Sequence, residues 1–207
     1  MMKKEIVFVL DPMCSWCWGF SPVVEEVRKA FSETYHISLV VGGLRTKGEM
    51  VWDEVSKTYL KQHWQEVAAR MGQPFDETLF FKKEFEYDTY PACKAVVTVR
   101  ELLGEDAAFE YLHTIQHAFY AQGIDITKSR LLYGYYEQLF GNSGKFAFMY
   151  GTERMETLME HDFAKARSMG ATAFPSVVIV DEDGHMVCQK GYRSVEEMNR
   201  LLKDAHA

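Results

Sequence analysis

The sequence predicts an α/β fold in which a β-α-β opening and a β-β-α ending are separated by a long helical block. Three observations lead there. Ile6-Val7-Phe8-Val9-Leu10 is an unbroken apolar run, the pattern of a central strand covered on both faces. From about residue 49 to residue 169, apolar side chains recur at three- and four-residue steps between glycine and proline stops. After Ser176 the pattern changes to β-branched runs joined by an Asp-Gly turn.

Each element follows in order. The segment from Cys17 to about Phe31 reads as a helix, with Phe20, Val23, Val24, Val27 and Phe31 on one face and Pro22 near its start. Ile37–Val41 reads as a second strand, closed by Gly42-Gly43, and the short βαβ spacing implies a parallel pair. A helix is expected from Glu49 to Met71, with Trp52, Val55, Tyr59, His63, Val67 and Met71 as its apolar stripe and Gly72 as its stop. Further helices are expected from Pro91 to Leu103, from Glu105 to Gln122, from a Thr127 cap to about Phe140, and from Thr152 to Met169. Ser176–Val180 and Met186–Lys190 form a hairpin across Asp181-Glu182-Asp183-Gly184. Ser194 then caps a closing helix, with Glu197 at the reciprocal position and Val195, Met198, Leu201 and Leu202 turned inward.

The chain has 207 residues, 47% of them hydrophobic and 26% charged, so it has material for a sizeable core. Its formal net charge of −7 argues against nucleic acid or an anionic membrane as partner, because phosphates require concentrated Lys and Arg. Lys3-Lys4 before Ile6–Leu10 imitates the start of a signal peptide, but Asp11-Pro12 ends the run short of the roughly 7–15 apolar residues such a signal needs. The expected location is therefore cytoplasmic. Four cysteines in a cytosolic chain point to reactive or metal-binding thiols rather than a disulfide framework.

Cys14-Ser15-Trp16-Cys17 lies directly after the first strand, at a helix start. Thiols spaced i, i+3 on one turn can close into a small disulfide ring and open again. The unpaired N–H groups and positive dipole end of a helix start favour thiolate, which is the nucleophile in disulfide exchange. The competing reading is half of a zinc site, with His113 and His117 as a further i, i+4 pair. Trp16 offers an apolar surface beside the dithiol, whereas Trp18 and Phe20 suit core packing equally well. Asp11 either tunes the thiols or forms a turn with Pro12, and the turn is the simpler role. Cys93, near the start of the expected helix after Tyr90-Pro91, is either a third redox thiol or a buried inert one; burial is the commoner fate of a free cysteine. Cys188 alternates with Met186 and Lys190 along a strand, as a core side chain would.

The order of elements resembles the DsbA-like branch of the thioredoxin fold, in particular its FrnE-like subgroup. The matching motifs are Asp11-Pro12-Met13-Cys14-Ser15-Trp16-Cys17-Trp18-Gly19-Phe20 and Gly170-Ala171-Thr172-Ala173-Phe174-Pro175-Ser176. The resemblance implies a thioredoxin-like core of residues 1–45 and 165–207 with an inserted helical domain of residues 46–164. It implies a cytosolic thiol–disulfide oxidoreductase in which exposed Cys14 attacks, more buried Cys17 resolves, and Ser15-Trp16 helps set the redox potential. It further implies that Pro175 is cis and faces the dithiol, leaving the polar groups of Phe174 free to pair with an extended substrate. Trp16, Phe174 and Pro175 would then bind substrate, with Asp11 and Cys93 as auxiliary positions. No cofactor or metal is expected, since the dithiol carries both electrons. The expected partners are protein or small-molecule disulfides and dithiols, glutathione among them. Two alternatives accompany the resemblance. One is an isomerase or glutathione-dependent transferase of the 2-hydroxychromene-2-carboxylate isomerase or kappa type, against which the intact Cys17 speaks. The other is a non-enzymatic binding module that uses the aromatic surface.

Overall fold

The computed structural model describes residues 4–204; Lys3 of the basic N-terminal pair lies outside the described residues, as do the outermost residues of the expected core. A four-stranded sheet runs in the order β2-β1-β3-β4, formed by β1 (Glu5–Leu10), β2 (His36–Val41), β3 (Ser176–Val180) and β4 (Met186–Lys190). β1 and β2 are parallel, with Phe8 opposite Leu39, while β1–β3 and β3–β4 are antiparallel. The helices are α1 (Ser15–Phe31), α2 (Glu54–Met71), α3 (Tyr90–Leu103), α4 (Glu105–Gln122), α5 (Ser129–Phe140), α6 (Gly144–Tyr150), α7 (Glu153–Ser168) and α8 (Val195–Asp204). Among the described residues no helix is long and apolar enough to cross a membrane.

The apolar run of β1 is buried on both faces, as its composition requires. Ile6, Phe8 and Leu10 join the main core with Phe20, Phe109 and Met198. Val7 and Val9 join a smaller cluster with Val40, Ala166 and Val178. The main core passes without a break from the sheet into the helical block, and Phe109 of α4 meets the Phe8 ring edge-on at 5.9 Å. The expected boundary at 164/165 falls inside α7, whose Ala166 packs on the second face of the sheet. The closing helix carries the expected capping box. The Glu197 amide donates to Ser194 Oγ, and the Ser194 amide donates to Glu197 Oε2 at 2.7 Å.

Four local expectations are corrected. α1 begins at Ser15, so Pro22 is its eighth residue rather than an early one. The Trp18 carbonyl that Pro22 cannot satisfy accepts instead from Ser21 Oγ at 2.8 Å and Gln73 Nε2 at 3.2 Å. α2 starts five residues late because the Asp53 carboxylate caps it, accepting from the Ser56 amide. Its buried face is Leu60, Trp64 and Val67, whereas Val55 is 78% exposed. The face is set by Trp64, which docks among Phe75, Phe80, Phe119 and Tyr120 at centroid distances of 4.7 to 5.9 Å. Thr127 does not cap α5; its hydroxyl donates to Asp125 Oδ1, and Lys128 occupies the cap position. Finally, the seven-residue α6 follows the Gly141–Gly144 breaker where no helix is expected, driven by Phe146 burying itself against Tyr136.

Candidate active site

β1 ends at Leu10, and the chain turns at Asp11 before entering α1. The turn is held by the Asp11 carboxylate, which accepts from the Met13 amide at 2.8 Å, and by the Asp11 carbonyl, which accepts from the Cys14 amide at 3.2 Å. Cys14 thereby becomes the N-cap of α1, and its carbonyl takes the first helical bond, from the Trp18 amide. No acidic side chain occupies the first turn, so the positive end of the dipole is left uncompensated there. Cys17 follows at the third helical position.

Both members of the pair are free thiols. Cys14, expected to be exposed, is only 5% exposed, and Cys17 is 1% exposed. The reason is the cover supplied by the segment before β3: Cys14 Sγ lies 3.5 Å from the Phe174 carbonyl oxygen. Phe174–Pro175 is a cis peptide bond, and Pro175 is buried with its carbonyl accepting from the Gly191 amide. The Phe174 ring reaches across to Gly42 at the end of β2. A Cβ on Gly42 would lie 2.3 Å from that ring, so only glycine admits it without displacement. Among the described residues no acceptor pairs with the Phe174 amide. Cys14, half-buried Trp16 and Phe174 line one groove, with Arg45, Tyr59 and His63.

Behind the dithiol the surroundings are sealed. The Asp11 amide donates to Cys17 Sγ at 3.4 Å, which favours a thiolate there. Burial outweighs that donor and pushes the Cys17 thiol well above its ordinary range, with the neighbouring Cys14 acting in the same direction. Asp11 itself is fully buried. Desolvation raises its carboxyl, and the amides of Leu44 and Met13 offset this in part. Cys93 is fully buried and donates to Asp11 Oδ2 at 3.5 Å; burial, followed by the nearby carboxylate, pushes its thiol well up. Asp11 thus makes the turn and also touches the Cys17 and Cys93 thiols.

Trp18 and Phe20 are core side chains. The Trp18 indole N–H donates to the Pro74 carbonyl, and its ring stacks on Tyr120. His113 and His117 pack on the Trp18 ring at 5.5 and 5.9 Å and do not gather with the cysteines. The single group of ligating side chains among the described residues, Asp181, Asp183 and His185, lies in the β3–β4 turn and is bonded within itself. Cys188 is half-buried against the smaller core cluster. The sequence reading missed three groups. Tyr87 donates to the Met13 carbonyl at 2.6 Å, Gln116 donates to the Asp11 carbonyl at 3.3 Å, and Arg45 enters the groove. The first two lie far along the chain and carry no local signal. Arg45 follows the strand that must pair with β1, and that position was the available clue.

Comparison with known proteins agrees with this architecture. A thioredoxin family model matches residues 7–200. A solved structure from Nitrosomonas europaea, provisionally described as a protein disulfide isomerase, superposes with a TM-score of 0.89 at 28% identity, covering 98% of this chain and 97% of that one. The cytosolic disulfide reductase DsbM from Pseudomonas aeruginosa superposes with a TM-score of 0.74 at 23% identity, covering 98% and 93%, and shares the fold. Among curated proteins, the ClpXP adapter protein SpxH of Bacillus subtilis is 21% identical over 128 residues, 62% of this chain. That match spans only 42% of the relative's own length. The β-α-β and β-β-α halves with the helical block between them are the architecture of the DsbA-like proteins, and the chain belongs to the thioredoxin family.

Proposed function

We propose that this protein is a thiol–disulfide oxidoreductase of the DsbA-like, FrnE-like kind, working in the cytoplasm on protein or small-molecule disulfides through Cys14 and Cys17. The observation that carries the reading is the placement of Cys14: N-cap of α1, one turn before Cys17, against the Phe174 carbonyl and bordering an open groove. Cys14 Sγ attacks one sulfur of a substrate disulfide. The substrate S–S bond breaks, the departing sulfur takes a proton, and a mixed disulfide remains. Cys17 loses its proton and attacks Cys14 Sγ, which releases the second substrate thiol. The products are two thiols and a Cys14–Cys17 disulfide, so two electrons pass from protein to substrate; the reverse sequence oxidises a dithiol. Division of labour follows from the surroundings. Burial holds Cys17 as a thiol until the mixed disulfide forms, while the helix start faces Cys14. Trp16 and the Phe174 backbone offer an apolar face and an edge for an extended substrate.

Equilibration in a series of glutathione buffers, acid quenching, alkylation and mass counting of free thiols tests this reading. The expected result is a reversible two-electron transition that Cys14→Ser abolishes. A midpoint near roughly −270 mV makes the protein a reductant, and one near roughly −120 mV makes it an oxidant. Two permanently reduced thiols would overturn the reading. The names of the curated relatives favour one competitor, an adapter that binds protein partners without redox chemistry. It requires that Cys14→Ser leave partner binding unchanged.

A further inference from the structure

We propose that the groove beside Cys14 selects disulfides bearing a carboxylate, and that Arg45 is the residue that binds it. The inference rests on the thiol–disulfide reading above and names its substrate class. Four observations carry it. The groove encloses about 310 Å³, the small end of the range for small-molecule sites, and no Asp or Glu lines it although the protein carries a net charge of −7. Its charged lining residue is Arg45. Among the described residues Arg45 makes no ion pair, as is also true of Arg130, Arg167, Arg193 and Arg200, but none of those lines the groove. The Arg45 Nε is buried without a hydrogen-bond partner.

The position of this guanidinium is built rather than incidental. The Arg45 amide donates to Thr89 Oγ1, and the Arg45 carbonyl accepts from the Thr89 amide at 2.8 Å. The preceding amide, that of Leu44, donates to Asp11 Oδ2 at 2.7 Å, three residues from Cys14. The loop that carries Arg45 is therefore registered to the turn that carries the nucleophile. The guanidinium lies over the Tyr59 ring at 5.9 Å, which orients its plane without using its donors. A buried N–H left unpaired costs free energy that a ligand oxygen recovers, and a guanidinium fork matches a carboxylate in two parallel hydrogen bonds. The size of the groove favours a small peptide disulfide, the class of oxidised glutathione, over an acidic side chain flanking a protein disulfide.

Stopped-flow oxidation of the reduced protein tests the assignment with two probes, oxidised glutathione and the neutral bis(2-hydroxyethyl) disulfide. In R45Q the ratio of their rate constants falls about tenfold, the worth of one charge-assisted hydrogen bond. In R45K, which restores the charge without the fork, it falls less. Salt lowers the ratio in the natural protein and has a smaller effect in R45Q. An unchanged ratio in R45Q overturns the proposal, as does an equal loss on both probes, which would mark Arg45 as structural. A Glu-flanked peptide disulfide that outreacts its Gln-flanked twin by more than oxidised glutathione outreacts the neutral probe would overturn the small-molecule assignment. Calorimetry of S-methylglutathione on Cys14→Ser, with and without R45Q, separates this inference from the redox reading. If the natural protein exchanges no disulfide yet binding of S-methylglutathione needs Arg45, the redox reading falls and the carboxylate site stands. Binding equal with and without Arg45 overturns the site.

Discussion

Asp162 and Asp11 are both buried carboxylates that fasten the exit of β2, and they are compensated in opposite ways. Asp162 accepts from the Val41 amide and holds the Arg100 guanidinium in two parallel hydrogen bonds of 2.8 and 2.9 Å. Asp11 accepts from the Leu44 amide and from the Cys93 thiol, and no cation pairs with it among the described residues. The first is a bolt between the helical block and the sheet: charge against charge, with Arg100 also donating to the Leu39 carbonyl. The second is held by dipoles alone, beside two thiols and with its carboxyl raised by burial. A charge can be buried for structure when its opposite is buried with it. One buried without its opposite remains sensitive to protons, and that is the one beside the Cys17 and Cys93 thiols.

Breaking the bolt is the largest expected effect. Arg100→Ala leaves Asp162 buried and uncompensated, and a loss of about 3–5 kcal/mol in urea unfolding is expected. The double variant with Asp162→Asn recovers part of it, because the orphaned charge has gone. A single-variant loss below about 1 kcal/mol would show that solvent reaches the pair and that the bolt is a surface bridge.

A smaller effect is expected where β2 meets the segment before β3. Gly42→Ala places a Cβ 2.3 Å from the Phe174 ring, inside any real contact. Overpacking of this kind costs about 1–3 kcal/mol. The displaced residue carries the carbonyl that faces Cys14, so thiol exchange slows as well. A variant with lowered stability but unaltered exchange kinetics would show that the ring moves without the backbone.

Legibility followed the same division. The sheet, the parallel start and the Ser194–Glu197 box were readable because short-range pattern decides them: five apolar residues can only be a covered strand, and a capping box is local. The stripe of α2 was misread because tertiary contact decided it. Trp64 found an aromatic nest contributed by residues 75 to 120, and the helix rotated to suit. The dithiol and the Phe174-Pro175 segment were legible as motifs, and the structure brings them together at 3.5 Å. What motifs do not carry is depth. Cys14 was expected at the surface, yet cover from 160 residues away buries it. Asp11 was read as a turn residue, and it is one, but its second oxygen reaches Leu44 and Cys93 across the fold. Arg45 escaped notice because an unpaired guanidinium is defined by what does not surround it, a property no linear pattern records.

The smallest expected effect is the most specific to Asp11, because it is read as a change with pH rather than as a loss. Asp11→Asn keeps the shape and one acceptor, but sets an NH₂ either against the Met13 amide or against the Leu44 amide and the Cys93 thiol together, all of them donors. At acid pH the variant is therefore less stable by about 1 kcal/mol. As pH rises past the ordinary carboxyl value of 3.8, the unfolded chain ionises first while the buried group keeps its proton, because desolvation raises it. The folded state then binds more protons than the unfolded one, so the stability contributed by Asp11 is full below that value and is lost as pH climbs through the folded one. Asparagine has no such loss. The gap between the two proteins narrows from acid to neutral pH, and since every other titration is common to both, urea unfolding of the pair at several pH values isolates this carboxyl. A gap that widens with pH would mean that the amides of Leu44 and Met13 outweigh burial and hold Asp11 ionised, and the contrast with Asp162 would then reduce to the presence of Arg100 alone.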